Sequence, residues 1–271
     1  MSNSPVRWLR AQRPVLVPDA DDTPQTVFLK SQYATLFAIY IVSYTITFVL
    51  CVSLLLYLRR NRSTAFKGDA EAARKVILPS FEPLFWVLSS ISGVYLTYFL
   101  VASFAGFNGS LVSGWYSELL FQGRTFMFFL VVVFLLQRSV SFQALVRSVG
   151  VAFALAVLSV VIVAATSDAT PLVRLVAISL YRFFFVGCLL WLLARPMSRA
   201  SVRTQREFCF FAIVHFVLLF AYSILFYLGD VQNGMIFVYC KVILVTISPF
   251  FVWRLLKADT EHWRGFSNRA V

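Results

Sequence analysis

Seven stretches of this chain are long and apolar enough to cross a lipid bilayer, and nothing else in the sequence constrains its fold as strongly. A bilayer core asks for about 20 consecutive, mostly apolar residues of α-helix. The stretches cover residues 35–58, 81–104, 116–137, 149–165, 172–194, 207–228 and 234–256. None alternates with period two, which separates them from the strands of a membrane β-barrel. Composition agrees: 60% of the 271 residues are hydrophobic and 13% are charged, against about 25% charged in a soluble domain. A mean hydropathy of +0.80 leaves more apolar surface than one soluble core could hide. A soluble enzyme, a disordered chain and a secreted disulfide scaffold are excluded. The expected fold is all-α, a polytopic bundle of seven transmembrane helices. Residues 1–33, with Pro5, Pro14, Pro18 and Pro24, form an N-terminal segment without a signal-peptide-like apolar run. Residues 34–256 form the helical domain and 257–271 a juxtamembrane tail. The sequence carries no internal repeat, so an inverted-repeat transporter has no support in it.

The net charge of +12 would suggest nucleic acid in a soluble protein. Here the cations sort by side. Six lie between the first and second stretches: Arg59, Arg60, Arg62, Lys67, Arg74 and Lys75. Arg138 and Arg147 follow the third stretch, and Arg195, Arg199, Arg203 and Arg206 follow the fifth. Arg254, Lys257, Arg264 and Arg269 end the chain. The opposite side has Arg7, Arg10, Arg13 and Lys30 on the N-terminal arm, and its loops are bare except for Arg174 at the edge of the fifth stretch. The positive-inside rule then places the C-terminus in the cytosol and the N-terminus outside or in the lumen. Nucleic acid drops out as a partner, the bilayer takes its place, and the plasma membrane is the expected location. Of two glycosylation sequons, only Asn108-Gly109-Ser110 falls on the outer side, which makes Asn108 a candidate acceptor.

Seven helices with the N-terminus out and the C-terminus in is the topology of serpentine, G-protein-coupled-type receptors. At that level of organisation the chain resembles them along nearly its whole length. Near the end of the seventh stretch, Ile247-Ser248-Pro249-Phe250-Phe251-Val252-Trp253 is similar to their Asn-Pro-x-x-Tyr element, with a proline and then an aromatic four positions on. Size and topology are also similar to plant and protist proteins of the tobamovirus-multiplication (TOM) type. The third stretch departs from the rhodopsin-like pattern, ending in Leu136-Gln137-Arg138-Ser139 where those receptors carry Asp-Arg-Tyr. The resemblance implies a receptor that senses a ligand outside and signals to a cytosolic protein. Arg195, Arg199, Arg203 and Arg206 are candidate contacts for that partner, or for anionic lipid headgroups.

Charges inside the stretches cost most and are the first place to look for function. Glu82 and Glu207, at cytosolic helix starts, read as caps. Glu118, Arg124, Arg182 and Lys241 do not. At about 1.5 Å per residue, Arg124 and Lys241 lie roughly 10–12 Å below the outer surface and Arg182 about 15 Å. Two arrangements satisfy such residues. One is an outward-opening pocket for an anionic or amphipathic small molecule, anchored by Arg124, Arg182 and Lys241, with Tyr116, Gln122, Tyr181 and Tyr239 as polar lining. The other is a structural network in which Glu118 bridges to Lys241 or Arg124 and ties helices together. Lys241 also raises retinal, carried as a Schiff base with Glu118 as counterion. Against a retinal cofactor, the third stretch lacks Arg-x-x-Asp-Trp and the sixth has no tryptophan. The four cysteines (Cys51, Cys188, Cys209 and Cys240) lie in apolar stretches, and His215 and His262 stand apart, so neither a metal nor a catalytic site is expected. A transporter, a channel or a non-signalling scaffold of the same topology is the competing class.

Overall fold

The computed structural model describes residues 24–67, 81–104, 114–137, 141–166, 168–196 and 201–267. Among these, eight α-helices follow one another: α1 Pro24–Phe66, α2 Glu82–Phe104, α3 Gly114–Leu136, α4 Phe142–Ala165, α5 Pro171–Ala194, α6 Val202–Tyr227, α7 Val231–Thr246 and α8 Ser248–Ser267. Five of them (α1, α2, α4, α5 and α6) are long and apolar enough to span a bilayer. The pair α7–α8, bent by 44°, makes a sixth candidate. Over 122–136, α3 is a shorter apolar helix. An all-α fold with these lengths is compatible with a polytopic membrane protein. Its outer surface agrees, because Val94, Val101, Phe153, Phe183, Phe184 and Phe210 are all exposed on helix sides. In water, faces of this kind would aggregate.

Successive helices pack against each other, and α7 closes the ring against α1. Inside that ring runs α3. From Gln122 to Val131 every residue but Phe126 is buried, the pattern of a helix enclosed on all sides. Arg124 meets α1 and α7, Met127 accepts from Ser92 of α2, and Phe129 packs on Phe185 of α5. Phe128 stacks among Phe208, Phe211, His215 and Phe216 of α6. Gly123 permits the close approach to α2, since any Cβ there would run into the ring of Tyr95.

Caps and turns set where helices begin, and several begin earlier than the apolar runs. Ser141 caps α4 through Ala144 N–H at 3.1 Å, so α4 includes Arg147. Thr170 precedes Pro171, the N1 residue of α5. Ser201 caps α6 through Thr204 N–H at 3.2 Å, which places Glu207 in the second turn. Glu207 therefore does not cap: it accepts from Arg203 Nε at 2.9 Å. Glu82 does lie in the first turn of α2, and its carboxylate also accepts from Arg59 and Arg62 of α1, at 3.0 and 3.4 Å. Between α6 and α7 the chain turns within three residues. Asp230 N–H donates to Leu225 C=O at 2.9 Å and Gly229 N–H to Phe226 C=O at 3.2 Å, a Schellman closure with Gly229 at φ 83°.

The seventh apolar stretch is not one helix. It breaks at Ile247, and Pro249 enters the first turn of α8, where its missing N–H costs nothing. α8 then continues without interruption to Ser267, so residues 257–267 of the juxtamembrane tail are the second half of this helix. Val252, Leu255, Leu256, Asp259 and Thr260 are buried along one face. Asp259 Oδ1 accepts from Ser201 N–H at 2.7 Å and clasps the end of the chain to the start of α6.

Gly229→Ala places a Cβ in the left-handed region and should cost about 1–2 kcal/mol. Unfolding of the detergent-solubilised protein measures it, and an unchanged midpoint would show that the turn relaxes. Asp259→Ala should cost about 1 kcal/mol by leaving a half-buried N–H without its acceptor, while Asp259→Asn should recover part of that loss.

Candidate ligand-binding site

A cavity of about 320 Å³ opens among α1, α3, α4, α5, α6 and α7. Its polar wall consists of Gln122, Thr125, Ser159, Tyr181, Arg182, Tyr222 and Lys241. Tyr40, Ile178, Phe226, Met235 and Val238 supply much of the rest. A volume of this order is that of a small-molecule site.

Arg182 is buried in the wall on α5. Its Nη1 donates to Leu219 C=O at 2.8 Å and to Ser223 Oγ at 2.5 Å, and its Nη2 reaches the Tyr222 hydroxyl at 3.4 Å. Every one of these partners is neutral. Both Arg182 and Lys241 face the ring of Tyr222, with the guanidinium carbon 5.5 Å and the ammonium 5.7 Å from its centroid. An aromatic face so placed offsets part of two positive charges, by about 0.5–2 kcal/mol each.

Arg124 lies one layer behind the wall and is 2% exposed. Its guanidinium packs on Tyr44 at 4.4 Å and on Tyr40 at 5.0 Å, and Tyr40 itself faces the cavity. Nη1 donates to Val242 C=O of α7 at 3.4 Å, while Nε and Nη2 meet no acceptor among the described residues. Val242 C=O also accepts from Thr246 Oγ1 at 2.7 Å, and that hydroxyl is hydrogen-bonded to Ser43 of α1. His215 is fully buried on α6, its ring stacked on Phe128 with centroids 4.7 Å apart. Arg182 and Lys241 on the cavity wall and Arg124 just behind it bring cations of three different helices to one region.

The sequence expectations are therefore distributed unevenly. Arg182, Lys241, Gln122 and Tyr181 share the cavity wall, with Tyr181 also donating to Leu155 C=O of α4 at 2.8 Å. Arg124 supports the wall from behind. Tyr239 is half-buried on α7 and does not line the cavity. Glu118 falls in α3, but its side chain, like that of Tyr116, lies outside the described residues, as do Asn108 and Arg199 entirely. Sequence reasoning missed Tyr222 and the pair Tyr40–Tyr44. Their signal was present as aromatics one helical turn from each other or from the cations' facing positions, but the chain has 29 Phe and 11 Tyr to choose among. The remaining arginines sit on two helices: Arg195 ends α5 over the ring of Trp191 at 4.7 Å, and Arg203 and Arg206 belong to the first turns of α6.

Comparison with known proteins gives no match to any family model, curated protein or solved structure.

A guanidinium this buried with neutral partners gains little from its charge. Replacing a buried ionic group by an apolar one of similar volume is commonly neutral or stabilising by about 1–4 kcal/mol. Arg124→Met should thus unfold at the parent temperature or above it. A loss of more than about 2 kcal/mol would show that the tyrosine faces and the Val242 carbonyl outweigh the burial penalty.

Proposed function

We propose that the chain is a receptor-like membrane protein of seven spans, with its N-terminus outside and its C-terminus in the cytosol of a cell at the plasma membrane. α3 would be the span that its described residues cover only in part, and α7–α8 the seventh. The ligand is a small anion or anionic amphiphile, received between α3, α5, α6 and α7. The observation that carries this is the presence of two buried guanidiniums, Arg124 and Arg182, whose hydrogen-bond partners are all neutral, at and just behind the wall of a 320 Å³ cavity.

A buried charge without a counter-charge is costly unless function maintains it. An anion at Arg182, with Lys241 on the same cavity wall, recovers that cost in the bound state, so it binds selectively to whichever packing brings the two residues together. Lys241 rides on α7, which ends at the break before Pro249. α8, beyond the break, is clasped to α6 through Asp259 and Ser201. A shift of α7 toward a bound anion therefore changes the angle at the break and the packing of α8 and α6 at the cytosolic end. There Arg195, Arg203 and Arg206 present charge to a signalling protein or to anionic lipid.

Topology is testable directly. An epitope before residue 24 should be labelled on intact cells, and one after residue 267 only after permeabilisation; the reverse pattern would overturn the orientation. Signalling is tested by expressing the protein with a panel of cytosolic G-protein sensors and applying anionic metabolites. A response should appear and be lost in Arg182→Gln and Lys241→Met at unchanged surface expression. A ligand-dependent flux of the anion across proteoliposomes, without sensor response, would instead make the protein a transporter.

A further inference from the structure

The wall of the cavity is sorted by depth. At about 1.5 Å per residue, Ile178 of α5, Phe226 of α6, and Met235 and Val238 of α7 lie within roughly 10 Å of the helix ends that surround the α6–α7 turn. All four are apolar, and Tyr222 of α6 and Ser159 of α4, about 8–9 Å from the ends of their helices by the same measure, are the polar residues of that layer. Arg182 and Lys241 lie about 15–16 Å from the same ends by the same measure, and Phe216 closes the floor. The cations therefore lie deep, and a ligand arriving from the α6–α7 end passes a mostly apolar wall. A site for a hydrated inorganic anion has no use for such an entrance, because every apolar residue passed on the way in costs the ion its water.

We propose that the ligand is a single-chain amphiphile with one carboxylate, bound head first, its carboxylate between Arg182 and Lys241 and its chain rising past Ile178, Phe226 and Met235 toward the α6–α7 turn. This rests on the anion-binding reading above and narrows it. One negative charge is what Arg182 lacks, since all its partners are neutral. The length follows from the volume. With about 30 Å³ for each water-sized group, 320 Å³ holds roughly ten, the size of an acid of about eight to nine carbons with its carboxyl included. The polarity runs opposite to that of a phospholipid in the adjoining leaflet, whose headgroup stays at the surface. A two-chain lipid taken in from the side would have to bury its headgroup inverted, so the site suits a free acid. Gly234 maintains the apolar entrance: any Cβ there would collide with the ring of Phe226 and push it out of place.

The probe is radiolabelled decanoate bound to the full-length protein in nanodiscs of neutral phospholipid, read by scintillation proximity. Octanoate should displace it, and butyrate, inorganic phosphate and decanol at equal concentration should not. Arg182→Gln should weaken decanoate at least tenfold, with Arg182→Lys recovering part of the loss and showing that the fold survives. Met235→Trp, which fills the apolar layer and leaves the cations in place, should shift the preferred acid to a shorter chain. Displacement by butyrate or phosphate as strong as by octanoate would overturn the amphiphile while leaving an anion site. Displacement by decanol would overturn the role of the carboxylate, and octyl phosphate binding better than octanoate would replace the carboxylate with a phosphate. No saturable, Arg182-dependent binding of any anion would remove the pocket itself.

Discussion

A helix enclosed on every side can carry a guanidinium only where its neighbours supply what water would have supplied. α3 is in that position, and Arg124 is its charged residue. Two tyrosine faces of α1 and one carbonyl of α7 receive the guanidinium, so a single side chain joins three helices at the middle of the bundle. The helices around it pack closely against α3. α2 approaches closely because Gly123 leaves room for Tyr95, and α6 lays a row of aromatic rings and His215 against Phe128. In a bilayer, apolar burial contributes little to helix association, and close packing with polar links does most of it. Ser43–Thr246 and Ser92–Met127 are links of that kind.

The same polar links lie between a cavity and the break between α7 and α8. Lys241 is on the wall, Val242 accepts from Arg124, Thr246 meets Ser43, and the helix ends one residue later. Beyond it, α8 buries a face against the bundle and holds the start of α6 through Asp259. Fewer than two helical turns of α7 separate the wall of the cavity from the break, and only α8 separates the break from the basic residues at the start of α6. Structural coupling between the two ends has a short path.

Much of this was legible in the residues. Apolar length marked α1, α2, α4, α5 and α6, and the cost of burying charge marked Arg124, Arg182 and Lys241 as exceptional. Where apolar length misleads is at helix ends. Arg147 and Glu207 look like loop and cap residues by hydropathy, yet Ser141 and Ser201 start their helices earlier by supplying an acceptor for free N–H groups. At Pro249 the apolar run continues through a break that hydropathy does not register, because the side chains on both sides remain equally apolar. Asp259 reads as a solvated tail residue and is buried, since its partner is a backbone N–H 58 residues away.

By itself the sequence determined that the chain is all-helical, apolar enough for a bilayer, and burdened with cations far from either end of their helices. These follow from local quantities: run length, hydropathy and position along a helix. Tertiary structure alone decided which cations share a space. Arg182 and Lys241 face one cavity, and Arg124 is turned behind its wall toward Tyr40 and Tyr44. Depth along a helix is additive in residue number, but the direction a side chain takes depends on how the helix is rotated and on which neighbour offers a ring or a carbonyl. That rotation is set by packing against the neighbouring helices and has no local signature.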